Sequence, residues 1–165
     1  MDADNLMTQK TYLQLLVDIM KKKLEILERL SRITQEQEAI IGADRFDDSR
    51  FLDTISEKEN LLKQLEELDA GFDQAFERVR EELSYNKYRH EAEIRTLQSY
   101  IAEITDRSVA LQALELRNKS KLEQRLTHMR KEIRNSKLSS QNVVKYYKSM
   151  TNRVEEQSYF YDKKK

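Results

Sequence analysis

Apolar residues recur along this chain at steps of three and four and never settle into strict alternation with polar ones, which is the pattern of helix faces rather than strands. Over residues 6–41, Tyr12, Ile19, Ile26, Ile33 and Ile40 stand seven apart in one column, Leu13, Met20, Leu27 and Ile41 in the next, with Leu16 and Leu30 between. A stripe this wide predicts a first helix packed against two neighbours. Gly42 is expected to close it in the left-handed conformation. Phe46 and Phe51 flank Asp47 as a hydrophobic staple flanks a capping carboxylate, so a second helix should start near Asp47. Its columns are Ile55, Leu62, Phe76 and Leu83, then Leu65, Phe72 and Val79, widened by Leu61, Leu68 and Ala75. Gly71 reads as lying opposite them, away from the core.

The longest uninterrupted pattern is Tyr88–Leu138, with a seam through Ile94, Leu97, Ile101, Ile104, Leu111, Leu114, Leu122, Leu126, Met129 and Ile133. As one helix it would be roughly 70 Å long and would protrude past the two shorter ones. Ser84–Lys87 is the expected reversal before it. The alternative, one continuous helix through both segments, would need a dimer to cover it and leaves a homo-oligomer open. The fold class is therefore all-α: a three-helix antiparallel bundle over residues 1–138, burying Ile26, Leu30, Leu62, Leu65, Phe72, Ile101 and Ile104, followed by a C-terminal segment, 139–165. In that segment Val143, Tyr147, Met150 and Val154 stand at amphipathic-helix spacing with Val144 and Tyr146 beside them. A helix this short is marginal alone in water, so it is either a fourth bundle helix or a tail that orders on a partner.

Charge refines the picture. The chain has 165 residues, of which 36% are charged, and its net charge is zero. Lys and Arg number 6 against 7 Asp and Glu in residues 1–41, 6 against 13 in 42–83, 12 against 7 in 84–138 and 6 against 3 in 139–165. The acidic second segment is thus expected to lie against the basic third, each exposed pair adding little energy but favouring one orientation. Lys21–Lys23 reads as solvated surface.

Chemistry is mostly excluded. Cysteines are absent and glycines number two, so there is neither a thiolate metal site nor a phosphate-cradling loop. His90 and His128 lie about ten turns apart on one helix, too far to share a metal or form a relay, and read as surface histidines. No catalytic residue, metal or cofactor is expected, and the chain reads as a non-enzyme. Nucleic-acid binding is disfavoured because the chain is neutral and the basic residues of 117–137 spread round their helix. No apolar run exceeds that of Leu15–Val17, far below the ~20 residues that span a bilayer, and no signal peptide is apparent. A cysteine-free chain is at ease in a reducing cytoplasm. The remaining candidate is partner binding through Val143, Val144, Tyr146, Tyr147, Met150 and Val154, whose Tyr and Met side chains offer large, adaptable contact surface.

The stretch Leu52-Asp53-Thr54-Ile55-Ser56-Glu57-Lys58-Glu59-Asn60-Leu61-Leu62-Lys63-Gln64-Leu65, after a long first helix and an Asp-containing turn, resembles the second helix of FlgN-type flagellar export chaperones, with its Lys followed by a Leu pair. The tail Tyr146-Tyr147-Lys148-Ser149-Met150 and the ending Ser158-Tyr159-Phe160-Tyr161-Asp162-Lys163-Lys164-Lys165 resemble the C-termini of such proteins from Gram-positive bacteria. The resemblance implies a cytoplasmic chaperone that holds the amphipathic terminal helices of flagellar hook–filament junction proteins and hands them to the type III export apparatus. The alternatives are a structural coiled-coil spacer or adaptor and a stalk-like soluble component of the export ATPase.

Overall fold

The computed structural model describes residues 3–129, 145, 146 and 148–150. Three helices account for nearly all of them: α1 (Ala3–Gly42), α2 (Asp48–Tyr85) and α3 (Glu91–His128), with a 3-10 turn at Lys87–His90 between the last two. No strand occurs among the described residues. Leu13, Leu16, Met20, Leu27 and Leu30 of α1, Leu61, Leu62, Leu65, Phe72 and Val79 of α2 and Leu97, Ile104 and Leu111 of α3 close into one core, with Ile26 buried in it and Ile101 packed on it. A second, smaller cluster of Ile41, Phe51, Leu122 and Leu126 sits at the α1–α2 turn.

Ion pairs and hydrogen bonds fix the directions. Lys23 pairs with Asp69 and Gln37 Nε2 donates to Thr54 Oγ1 at 3.0 Å, so α2 runs antiparallel to α1. Arg107 meets Glu28 at 3.3 Å and Arg117 meets Glu38 at 3.2 Å, so α3 runs parallel to α1. The result is an up-down-up bundle in which α1 lies between the other two, and no Cα of α2 comes within 8 Å of one of α3. The expectation that acidic α2 lies against basic α3 is therefore corrected: the bases of α3 find their acids on α1. The ion pair that does join α2 to α3, Lys58–Glu115, has the opposite polarity.

The start of α2 is built as its sequence requires. Asp47 Oδ1 accepts from the Arg50 amide at 3.0 Å, and the rings of Phe46 and Phe51 lie 5.5 Å apart across the cap, a hydrophobic staple around the N-cap. The end of α1 differs from expectation. Gly42 is the last residue of the helix, and no described residue has positive φ. The helix end is instead met from α3: Arg125 donates to Ile41 O of the last turn at 2.9 Å and, in the turn beyond it, to Ala43 O and to Asp44 O at 3.0 Å. A guanidinium with five donors in a fixed fork suits three convergent carbonyls, and it also lies 5.6 Å from the centroid of the Phe46 ring.

Arg125 lies in the last turn of α3. It stands level with the α1–α2 turn, and the helix is capped at Met129, whose amide donates to Arg125 O at 3.0 Å. α1 has 40 residues and α2 and α3 have 38 each, so all three are about 57–60 Å long. The expected overhang of α3 is absent among the described residues; positions 130–138 of the sequence-based helix lie outside them. The reversal expected at Ser84–Lys87 is present, with Asn86 capping α2 by its amide to Glu82 O at 2.8 Å.

Gly71 is also corrected. A Cβ there would meet Ile19 Cδ1 at 3.7 Å, so it faces α1 rather than solvent. The structure thus shows an all-α bundle, and among the described residues no helix is long and apolar enough to cross a membrane.

Candidate partner-binding cleft

Because α2 and α3 are held apart, the face of the bundle opposite α1 leaves room for a further element, and part of the C-terminal segment packs there. Met150 is 1% exposed and belongs to the main core. Tyr146 is half-buried and packs on both apolar clusters. Lys145, Lys148 and Ser149 face solvent. Of the six residues expected to contact a partner, the structure therefore brings Tyr146 and Met150 together, one helical turn apart, with their side chains turned into the bundle. Val143, Val144, Tyr147 and Val154 lie outside the described residues.

Beside this segment runs a cleft of about 550 Å3, lined by Glu59, Leu62, Lys63 and Glu66 of α2 and by Lys145, Tyr146, Ser149 and Met150. Its floor is apolar, formed by the buried Leu62 and Met150. Its walls alternate in charge, with Glu59 and Glu66 against Lys63 and Lys145. Such a surface suits one side of an amphipathic helix bearing charges of both signs at its margins.

Below Tyr146 lies a layer of buried polar groups, set between the two apolar clusters. Lys58 Nζ donates to Gln37 Oε1 at 2.8 Å and to Glu115 Oε1. Thr34 Oγ1 lies 3.0 Å from the same Glu115 oxygen and donates to it. Asn118 Nδ2 donates to Thr34 O at 3.0 Å. Both charged groups of the Lys58–Glu115 pair are 0% exposed. Burial pushes the Lys58 ammonium below the ordinary lysine value, and the adjacent Glu115 charge and hydrogen bond work against that shift. The Tyr146 ring centroid is 5.6 Å from Lys58 Nζ, within cation–π range. Oε2 of Glu115 and Oδ1 of Asn118 are buried without a hydrogen-bond partner among the described residues.

A reading of the sequence as apolar columns misses this layer, although a signal was present. Lys58 occupies the column Phe51, Leu65, Phe72, Val79; Thr34 that of Leu13, Met20, Leu27, Ile41; and Lys23 and Gln37 that of Leu16 and Leu30. A polar residue that interrupts a column at sevens is thus a candidate for burial, although Asp69, in the column of Ile55, Leu62, Phe76 and Leu83, stays partly exposed. Lys23, read as solvated surface, is accordingly 0% exposed and paired with Asp69. His90, read as a surface residue, is also fully buried. Its Nε2–H donates to Glu82 Oε1 at 3.2 Å at the α2–α3 joint, because the 3-10 turn folds it back beneath the end of α2.

No group of three or more metal-ligating side chains occurs among the described residues. Comparison with known proteins found no matching family model, no similar curated protein and no similar solved structure.

Proposed function

We propose that the chain is a cytoplasmic, non-enzymatic export chaperone of the FlgN-like kind, which holds amphipathic terminal helices of hook–filament junction proteins until they reach the export apparatus. The observation that carries this reading is the cleft between α2 and residues 145–150, with the apolar floor of Leu62 and Met150 and the mixed-charge rim of Glu59, Lys63, Glu66 and Lys145. An amphipathic helix without its filament partner exposes an apolar stripe that associates wrongly, and a cleft of this character covers one. The stretch Leu52–Leu65, which carries part of the resemblance, supplies Glu59, Leu62 and Lys63 of the α2 wall. Because half of the cleft is the chain's own C-terminal segment, a guest helix enlarges or shifts a contact that already exists rather than occupying an empty cavity. Part of the contact energy then goes into that rearrangement, which keeps affinity moderate, as release requires.

The test is calorimetric titration of the full chain with a synthetic peptide of a junction protein's terminal helix, against a scrambled peptide of equal composition. The helix binds and the scrambled peptide does not. Charge reversal at the exposed rim, Lys63→Glu with Lys145→Glu, changes the affinity and its salt dependence while leaving the thermal midpoint in place. Equal binding of both peptides, or rim variants with unaltered affinity, sinks the assignment.

A further inference from the structure

The two apolar clusters are bridged by Tyr146, which packs on both of them directly over the polar layer that separates them. That layer contains the link between α2 and α3, helices whose backbones do not otherwise approach closely. Lys58 Nζ is enclosed by Gln37 of α1, Glu115 of α3 and the ring of Tyr146. Of these groups, Gln37 and Glu115 are fully buried while Tyr146 is partly exposed. Among these three groups, the tyrosine is the one that reaches the surface.

We propose that Tyr146 is the lid of the Lys58–Glu115 pair, and that Lys58 is a cryptic lysine. With Tyr146 and Met150 seated, its amine is dry and unreactive; when they lift, it becomes an accessible, modifiable amine beneath the cleft. The chemistry of the floor favours such opening. Unseating Met150 exposes apolar surface, which opposes lifting, whereas uncovering a buried ion pair returns hydration that burial had withheld. A polar layer under the lid thus makes the segment easier to lift than an all-apolar floor would. Where a guest helix displaces the segment, the α2–α3 link is wetted at the same time; that consequence rests on the proposed function, while the lid itself does not.

The experiment is timed acetylation of the full chain by an N-hydroxysuccinimide acetate, with lysines resolved by mass spectrometry and no guest present. Lys63, exposed on the cleft wall, is the open reference, and Lys23, buried against Asp69 at a distance from Tyr146 along the bundle, reports the bundle as a whole. Lys58 should react at least about tenfold more slowly than Lys63, as local opening requires. Tyr146→Ala should bring Lys58 toward the Lys63 rate with Lys23 unchanged, and Tyr146→Phe, which keeps the ring, should leave Lys58 protected. Replacing the pair, Lys58→Met with Glu115→Leu, should slow amide hydrogen exchange of residues 145–150. The lid is overturned if Lys58 stays protected in Tyr146→Ala, or if Lys23 and Lys58 become reactive together, since Tyr146 would then support the whole bundle rather than cover one pair. Neither result bears on guest binding, so the two proposals fail separately.

Discussion

At the scale of single residues, the columns of large apolar side chains were legible because their burial needs only periodicity: Leu30, Leu65 and Phe72 are buried where the sevens place them. The column positions of Lys23 and Lys58 carried a signal of burial, but their pairing with Asp69 and Glu115 was not legible, because a charged residue enters a core only when its partner on another helix is in place, and pairing is a tertiary fact. Their energetics follow from that dependence. Glu115→Ala strands a buried ammonium and should cost about 3–5 kcal/mol in a urea titration, while replacing both partners, as in Lys58→Met with Glu115→Leu, should cost far less. Equal losses in the two variants would show that the layer contributes through packing rather than charge. Gly71 offers a change of opposite sign. A methyl group there meets Ile19 Cδ1 at 3.7 Å, an ordinary contact, and alanine removes the backbone entropy that glycine brings to a helix interior. Gly71→Ala should therefore raise stability by about 0.5–1 kcal/mol, read as a higher urea midpoint at unchanged slope.

At the scale of elements, starts were more legible than ends. The start of α2 is written locally, in Phe46, Asp47 and Phe51, and appears as written. The end of α1 is written some eighty residues away in Arg125, so the local reading turned to Gly42 and its left-handed conformation instead. The α2–α3 joint combines both cases: its position was visible in the lack of aliphatic residues, whereas the burial of His90 beneath Glu82 was not. Burial works to raise the Glu82 carboxyl, but hydrogen bonds from Asn86 and His90, with the charges of His90 and Arg89, outweigh it and hold the group below its ordinary value of 4.5. A carboxyl lowered on folding contributes stability that is complete above that value and is lost as the pH falls below it. Glu82→Gln should accordingly destabilise the protein at neutral pH and flatten the acid limb of its stability profile below pH 4.5. An acid limb of unchanged steepness, followed by thermal melts across that range, would remove Glu82 from the joint's energetics.

At the scale of the whole molecule, the number of helices, their up-down order and the two neighbours of α1 were legible, but the separation of α2 from α3 was not. Segment charges suggested that α2 and α3 meet, yet α1 carries the widest apolar stripe and takes the central place, since burial of that stripe outweighs exposed pairs that contribute less than about 1 kcal/mol each. The central position of α1 opens the gap on the far side, which Tyr146 and Met150 enter, and this changes what the C-terminal segment is expected to do. An amphipathic stripe alone is equally suited to a partner and to the chain's own core. Met150, at 1% exposure, is committed to the core in the free chain, so its loss acts on folding before it acts on binding. Met150→Ala should cost about 2–5 kcal/mol of stability, the range for truncating a long buried side chain. Substitutions at Lys63 and Lys145 on the rim should instead leave stability within about 0.5 kcal/mol, as surface changes usually do. A chemical denaturation series on these variants separates floor from rim. If Met150→Ala loses less than about 1 kcal/mol, the segment spends much of its time unseated, because a side chain that is often exposed in the folded state contributes little of its burial to stability.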